Sequence, residues 1–246
     1  MIRLIPHDHP ALAQVPGDPL LAAVVEAEAL AGGGGAPGEF WLILGEDGKA
    51  GGAVCRVGGL VRATLCRGEL APEAAAFLEG LGWCWLETDG FLAPLLSGVS
   101  HRYLRMEYTG TVPASQLLCP PSVMETVRCN VAAGALPPEA LEERYTHLHL
   151  LCRRGAAQVF LVPGKDGAPA AASALSHIGA VRGVIGYLVA LPHKRGQGYG
   201  TAALQAAVKA CLELERTPVL ACREELEPFY QARGFFRTGE IWALQR

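Results

Sequence analysis

The feature that most constrains the fold is a run of alternating glycines between an apolar stretch and an amphipathic stretch. Residues 183–191 are almost entirely apolar and stop at Pro192, and Gly196, Gly198 and Gly200 follow. Beyond them, apolar residues recur at helical spacing. This order predicts a strand, a tight turn and a helix that starts within the turn. We call residues 195–200 the glycine turn.

The glycine turn has the composition of a phosphate-binding site. Backbone N–H groups at a helix start have no helical partner, and the positive end of the helix dipole lies there. Glycines lack the Cβ atoms that would keep a diphosphate from the backbone, and Lys194 and Arg195 add positive charge. A P-loop fits poorly because no lysine follows Gly200. A dinucleotide-binding fold also fits poorly, since its glycine spacing and its acidic residue are missing.

Composition excludes several classes of protein. Of 246 residues, 50% are hydrophobic and 18% charged, which excludes a disordered chain. The net charge of −3 disfavours a nucleic-acid partner. Eight cysteines without a C-x-x-C pair favour reduced, buried thiols and no metal site. The sequence starts without a signal-peptide pattern and has no apolar run near the roughly 20 residues of a membrane span. It therefore predicts a cytoplasmic protein without a membrane partner.

Residue patterning predicts an α/β chain, with a mixed sheet flanked by helices. The N-terminal half is expected to contain helices at 20–30 and 72–80, strands at 40–44, 52–56, 60–65 and 83–87, and a flexible glycine loop at 32–38. The C-terminal half is expected to contain helices at 139–151, beyond 196 and at 224–232, and strands at 159–162, 170–178, 183–191, 219–222, 235–236 and 241–244. A weakly patterned segment predicts two domains, 1–121 and 122–246.

Two short motifs carry a family resemblance. The glycine turn matches R-x-x-G-x-G from Arg195 to Gly200, and the C-terminal region contains Y-x-x-x-G-F from Tyr230 to Phe235. In both spacing and order the segment 183–237 resembles the GNAT superfamily of N-acetyltransferases. A weaker resemblance, by element order, extends back to about residue 125.

The resemblance implies a GNAT fold in the domain 122–246, with acetyl-CoA as co-substrate and no metal. It implies that backbone groups of Val189, Ala190 and Leu191 bind the pantetheine arm, and that an N–H group near Ala190 polarises the thioester carbonyl. The residues implied around the diphosphate are Arg195, Gly196, Gln197, Gly198, Tyr199, Gly200 and Thr201.

For catalysis, the resemblance assigns Tyr230 as the proton donor to the departing thiolate. Packing of a short helix by a half-buried aromatic ring is the alternative for this residue. Many relatives carry a glutamate where this chain has Val184. His177 on the preceding strand is then the candidate base, directly or through water, because its reference pKa lies near neutrality. The alternative is that His177 is an ordinary residue on the strand surface.

The predicted function is N-acetylation of a primary amine of a small molecule or peptide. The alternative is a catalytically inactive acyl-CoA-binding protein with a regulatory or structural role, which the missing glutamate favours. The N-terminal part lacks the glycine turn. It is expected to be either a degenerate copy of the same fold or an unrelated α+β accessory domain.

Overall fold

The computed structural model describes residues 1–32 and 38–246, which form eleven β-strands and six α-helices. The first elements are β1 (Ile2–Ile5), α1 (Pro19–Ala31), β2 (Glu39–Leu44), β3 (Ala50–Val57), β4 (Leu60–Leu65), α2 (Ala71–Leu81), β5 (Trp85–Thr88) and β6 (Val99–Tyr108). The others are α3 (Val123–Ala132), α4 (Leu141–Arg153), β7 (Gln158–Pro163), β8 (Pro169–Ile178), β9 (Arg182–Ala190), α5 (Tyr199–Glu213), β10 (Thr217–Cys222), α6 (Glu227–Gln231) and β11 (Phe235–Gln245). None of the helices in these ranges is long and apolar enough to cross a membrane.

Contacts divide the chain into two compact units. Unit 1 comprises Met1–Thr109 and Val219–Arg246, and unit 2 comprises Gly110–Pro218. The C-terminal segment belongs to unit 1 because β11 pairs with both β5 and β6. The predicted division into domains 1–121 and 122–246 stays a prediction. The contact-based units differ from it because they assign Val219–Arg246 to the unit that contains the N-terminus.

The sheet of unit 1 runs in the order β1-β2-β3-β4-β5-β11-β6-β10. Neighbouring strands are antiparallel except β4 and β5, which are parallel. The segment that joins this parallel pair contains α2, as expected because parallel strands need a long crossover connection.

Helices α1 and α2 cover opposite faces of the first strands of unit 1. Asp18 starts α1 by accepting hydrogen bonds from two amides of its first turn. Helix α1 packs on the face that carries Phe40 and Leu42, and α2 packs on the face of Trp41 and Ile43. The alternation of the four side chains follows from the two-residue period of a strand.

Unit 2 contains an antiparallel sheet in the order β7-β8-β9. Helix α5 packs on one face, where Ala203 contacts a cluster with Ala171. Helix α3 packs on the other face, where Cys129 joins a cluster with Ala172. The end of β9 is therefore half-buried between α3 and α5.

The predicted α/β class and mixed sheet flanked by helices are confirmed, and most predicted elements lie within a few residues of the observed ones. The predicted helix at 224–232 is α-helical only from Glu227, because Pro228 lacks an amide donor and favours a first turn. The predicted strands at 235–236 and 241–244 form one strand with an irregularity between Arg237 and Gly239. The sequence did not predict β1, β6 or α3. Of the predicted loop at 32–38, residues 33–37 lie outside the described residues.

Candidate active site

The glycine turn connects β9 to α5 within unit 2. After β9 the chain makes a 3-10 turn over Pro192–Lys194 and reaches two glycines in the left-handed region, Gly196 with φ of 75° and Gly198 with φ of 87°. A Cβ atom at either position would meet no described atom within 4 Å. Backbone conformation rather than lack of space therefore requires glycine at both positions.

The first turn of α5 is arranged to bind an anion. Gly198 is the N-cap and has no side chain with which to cap the helix. Its carbonyl accepts the amide of Ala202 at 3.0 Å, so the amides of Tyr199 and Gly200 precede the first helical hydrogen bond. This turn contains no acidic residue. The helix dipole and these amides therefore favour a negatively charged ligand.

The basic side chains beside the glycine turn already have partners. Lys194 Nζ lies 3.1 Å from a carboxylate oxygen of Asp166. Arg195 donates from Nε to the Ala190 carbonyl at 3.3 Å and from a terminal nitrogen to the Ala133 carbonyl at 3.2 Å. Both partners of Arg195 are neutral carbonyls, so no carboxylate offsets its positive charge in these contacts. The same hydrogen bonds connect the end of β9 with the end of α3.

The remaining residues of the turn are held by local contacts. Gln197 Nε2 donates to the His193 carbonyl at 3.3 Å. The Tyr199 side chain packs in the apolar cluster beneath α5. A Cβ on Gly200 would lie 3.8 Å from the Ala190 Cβ, so the first turn of α5 lies close to the end of β9. Thr201 lies in that same helical turn.

The end of β9 presents backbone groups on the side away from β8. Leu191 N–H donates to the Ala170 carbonyl at 3.0 Å. Because hydrogen-bonding directions alternate along an antiparallel strand, the amide of Ala190 points away from β8. The side chains of Val189 and Leu191 pack in the α3-side cluster, and Ala190 packs on the α5 side. The roles of these residues in binding pantetheine stay predictions.

Strand β9 is irregular just before this segment. Between the pairs Ala172–Val189 and Ala174–Gly186 the strand has one residue more than β8. Tyr187 lies in this bulge with φ of 52°. Residues other than Gly, Asn and Asp rarely adopt this left-handed backbone conformation. The bulge redirects the backbone that leads to Ala190.

Sequence reasoning missed Asn130, which contacts this bulge. Asn130 is 3% exposed and lies on α3. Its Nδ2 atom donates to the Tyr187 carbonyl at 3.1 Å and to the Thr126 carbonyl at 2.9 Å. The available signal was a short polar side chain within a mostly apolar helix, and it does not identify a partner 57 residues away.

His177 is buried, so its interpretation as a surface residue is wrong. It pairs with Val184, whereas Ala190 pairs with Ala171. Six residues at roughly 3.3 Å each separate His177 from the level of Ala190 by about 20 Å along β8. The His177 ring faces that of His147 on α4, with centroids 6.2 Å apart. The structure therefore does not bring His177 to Ala190, and its role as base stays a prediction.

Tyr230 lies on α6 in unit 1. Its ring makes edge contacts with Phe229 and Phe235, at centroid distances of 5.1 and 5.8 Å, and the residue is 8% exposed. Burial, followed by the nearby Cys222 thiol, raises the pKa of Tyr230 to about 12. This phenol is therefore a weaker acid than an ordinary tyrosine.

All eight cysteines are free, and the expectation that they are buried holds for only some of them. Cys55, Cys129, Cys211 and Cys222 are buried, whereas Cys66 and Cys84 are exposed. The two exposed thiols lie just outside strand ends.

Known proteins support the resemblance. A family model described as the acetyltransferase (GNAT) family matches residues 128–235. No curated protein matches this sequence. Among solved structures, a GNAT-family acetyltransferase from Colwellia psychrerythraea is 15% identical, with 100% of this chain and 99% of that chain covered and a TM-score of 0.55. A tandem GNAT protein from the clavulanic acid biosynthesis pathway is 14% identical, with 100% and 98% covered and a TM-score of 0.56.

A GCN5-related N-acetyltransferase from Kribbella flavida is 16% identical, with 79% of this chain and 86% of that chain covered and a TM-score of 0.53. These identities are low, so the likeness concerns the fold. The family match and the fold agree with the strand, glycine turn and helix described above. Residues 128–235 of this chain are therefore identified as a GNAT acetyltransferase domain.

Proposed function

We propose that this chain transfers an acetyl group from acetyl-CoA to a primary amine of a small molecule or peptide. The observation that carries the proposal is the start of α5, where left-handed Gly196 and Gly198 leave the first amides of the helix open to an anion at the end of β9. The diphosphate of acetyl-CoA is the anion that the family match favours.

Backbone groups provide most of the proposed binding. The amides of Tyr199 and Gly200 would bind the diphosphate, with Thr201 in the same turn. Val189, Ala190 and Leu191 would bind the pantetheine arm along the end of β9. The start of α5 fits a diphosphate because it combines backbone amide donors with the positive end of the helix dipole. Neither requires a side chain to move.

The Ala190 amide is the proposed donor to the thioester carbonyl. In the proposed reaction the amine nitrogen bonds to the acetyl carbon, the carbon–sulfur bond breaks, the amine loses one proton and the thiolate gains one. An N–H group fixed by a strand is suited to the charge that develops on the carbonyl oxygen, since it needs no reorganisation. The proposed reaction assigns no step to His177, which stays a predicted base, because about 20 Å along β8 separate it from the level of Ala190.

The raised pKa refines the proposed role of Tyr230. With a pKa of about 12 the phenol stays protonated at neutral pH. A thiolate whose conjugate acid has a pKa of about 8.5 is too weak a base to remove this proton completely. We therefore propose that Tyr230 stabilises the departing sulfur with a hydrogen bond, and that solvent delivers the proton that completes the thiol.

The cytoplasmic location is also part of the proposal. Eight free cysteines, two of them exposed, are typical of proteins from a reducing compartment. The acceptor amine is not assigned further, since the fold by itself does not determine it.

The test is thiol release from acetyl-CoA in the presence of a panel of primary amines. We expect Tyr230→Phe to lower kcat by about a hundredfold, because a donor to the developing charge is lost. The dissociation constant for acetyl-CoA should change by less than about twofold, because the proposed binding groups are unaltered. Tyr108→Phe is the matched control, since Tyr108 packs on the same Phe235 ring at 5.1 Å, and it should retain full turnover.

Two outcomes contradict the proposal. Equal turnover by wild type and Tyr230→Phe would remove Tyr230 from the reaction. Tight acetyl-CoA binding without thiol release for any amine would favour a protein that binds the coenzyme ester without catalysis.

A further inference from the structure

Strand β9 contains a conformation that its own sequence does not favour. Tyr187 has φ of 52° in the middle of the strand, and β9 has one residue more than β8 at this point. Left-handed backbone is costly for an aromatic residue, so surrounding contacts must maintain it. The segment that follows directly is Leu188 to Leu191, whose backbone is the proposed pantetheine site.

One polar contact to this bulge comes from α3. Asn130 donates a hydrogen bond to the Tyr187 carbonyl at 3.1 Å while its other amide hydrogen reaches the Thr126 carbonyl at 2.9 Å. The side chain is thus anchored within its own helix, and the residue is 3% exposed. A buried amide fixed in this way determines the position of the carbonyl that it contacts.

The end of α3 contacts the same segment at two further points. Cys129 packs in one cluster with Val189 and Leu191. The Arg195 guanidinium donates to the Ala133 carbonyl at 3.2 Å. The last turns of α3 therefore contact the chain before, within and after the segment that is proposed to bind pantetheine.

We propose that Asn130 is a positioning residue for acetyl-CoA: it holds the left-handed conformation of Tyr187 and thereby directs the backbone of residues 188–191 toward the ligand. This inference rests on the proposed function, which supplies acetyl-CoA as the ligand. Asn130 itself touches neither acetyl-CoA nor the reacting atoms. Its effect passes through the Tyr187 carbonyl.

The test asks whether glycine at position 187 removes the need for Asn130. Asn130→Ala should weaken acetyl-CoA binding about tenfold, the loss expected from one hydrogen bond that fixes a site. Because glycine adopts positive φ without strain, the same Asn130→Ala change made in a Tyr187→Gly background should weaken binding by less than about twofold. A Tyr187→Ala background is the matched control, since alanine also lacks the ring but is strained at positive φ, and there the loss should remain.

Binding is measured by isothermal titration calorimetry, and hydrogen exchange of the amides at 187–191 gives a readout without ligand. Asn130→Ala should accelerate exchange at these amides relative to the amides of β7. Equal acetyl-CoA affinity of wild type and Asn130→Ala would overturn the inference and leave the proposed function standing. The same loss in all three backgrounds would overturn it too, since Asn130 would then act through packing alone.

A wild-type protein that does not bind acetyl-CoA would contradict the proposed function and, with it, the assigned ligand of this inference. In that case the hydrogen-exchange rates still test whether Asn130 holds the left-handed conformation of Tyr187. Unchanged exchange in Asn130→Ala would show that Asn130 does not hold the bulge.

Discussion

The junction between β9 and α5 in unit 2 and the junction between β4 and α2 in unit 1 have the same element order but different chemistry. Each follows three successive antiparallel strands, and each leads from the last of them into a helix. In unit 2 the helix starts at left-handed glycine with no acidic residue in its first turn. In unit 1 the connection is a 3-10 turn that contains Glu69, and α2 adds Glu73 in its first turn.

In unit 1, charged side chains occupy the start of the connection between β4 and α2. Arg67 donates to Glu69 at 2.7 Å and to Asp47 at 3.0 Å, and the hydrogen bond from Arg67 lowers the pKa of the Glu69 carboxyl. A Cβ on Gly68 would lie 3.1 Å from the Phe91 ring. Because acidic side chains already occupy this helix start, an added diphosphate would be repelled. A shared order of elements therefore does not imply a shared ligand.

The largest effect that would test this difference is expected for Gly198→Ala. Left-handed φ costs a residue with a Cβ atom about 2 kcal/mol, which corresponds to an acetyl-CoA affinity about thirtyfold lower. Calorimetry measures the affinity. Gly155→Ala is the matched control, since Gly155 has φ of 72° and open space but lies after α4. It should lose stability without losing affinity, and equal affinity losses in both variants would break the comparison.

A smaller effect is expected for Arg195→Gln. Loss of the contact with the Ala133 carbonyl should weaken acetyl-CoA binding about fivefold, the value of one ordinary hydrogen bond. Since Arg195 contacts Ala133 and also carries its charge beside the proposed diphosphate site, the ratio of the two affinities should fall only slightly as the salt concentration rises. A ratio that shrinks strongly with salt would instead indicate direct contact with the diphosphate.

The smallest effect is expected for Gly68→Ala in unit 1. The added methyl group would push on Phe91, which is 48% exposed and able to shift. Acetyl-CoA affinity should stay within about twofold of wild type, because this junction is not expected to bind the coenzyme. A loss comparable with that of Gly198→Ala would show that unit 1 also takes part in binding.

The sequence was informative where local chemistry decides structure. The glycine turn, the strand before it and the helix after it were all predicted, because positive φ, the absence of Cβ and helical periodicity are properties of neighbouring residues. The similarity of the two junctions was not detected, since the residues that occupy them differ. Strand β6 was also missed, because its pairing partners β10 and β11 lie more than 100 residues further along the chain.

Site details depended on contacts between distant residues. The sequence suggested His177 as a base, and only strand register revealed its distance from Ala190. The resemblance suggested Tyr230 as a proton donor, and only the structure showed that burial raises its pKa to about 12.

The sequence by itself determined that residues 183–213 form a strand, a glycine turn and a helix, because these elements are set by properties of a few neighbouring residues. Tertiary structure alone decided that Arg195 reaches α3, that Asn130 holds the carbonyl of Tyr187, and that β11 belongs to unit 1. The physical reason is that hydrogen-bond partners and burial depend on residues far apart in sequence, whose meeting no local pattern encodes.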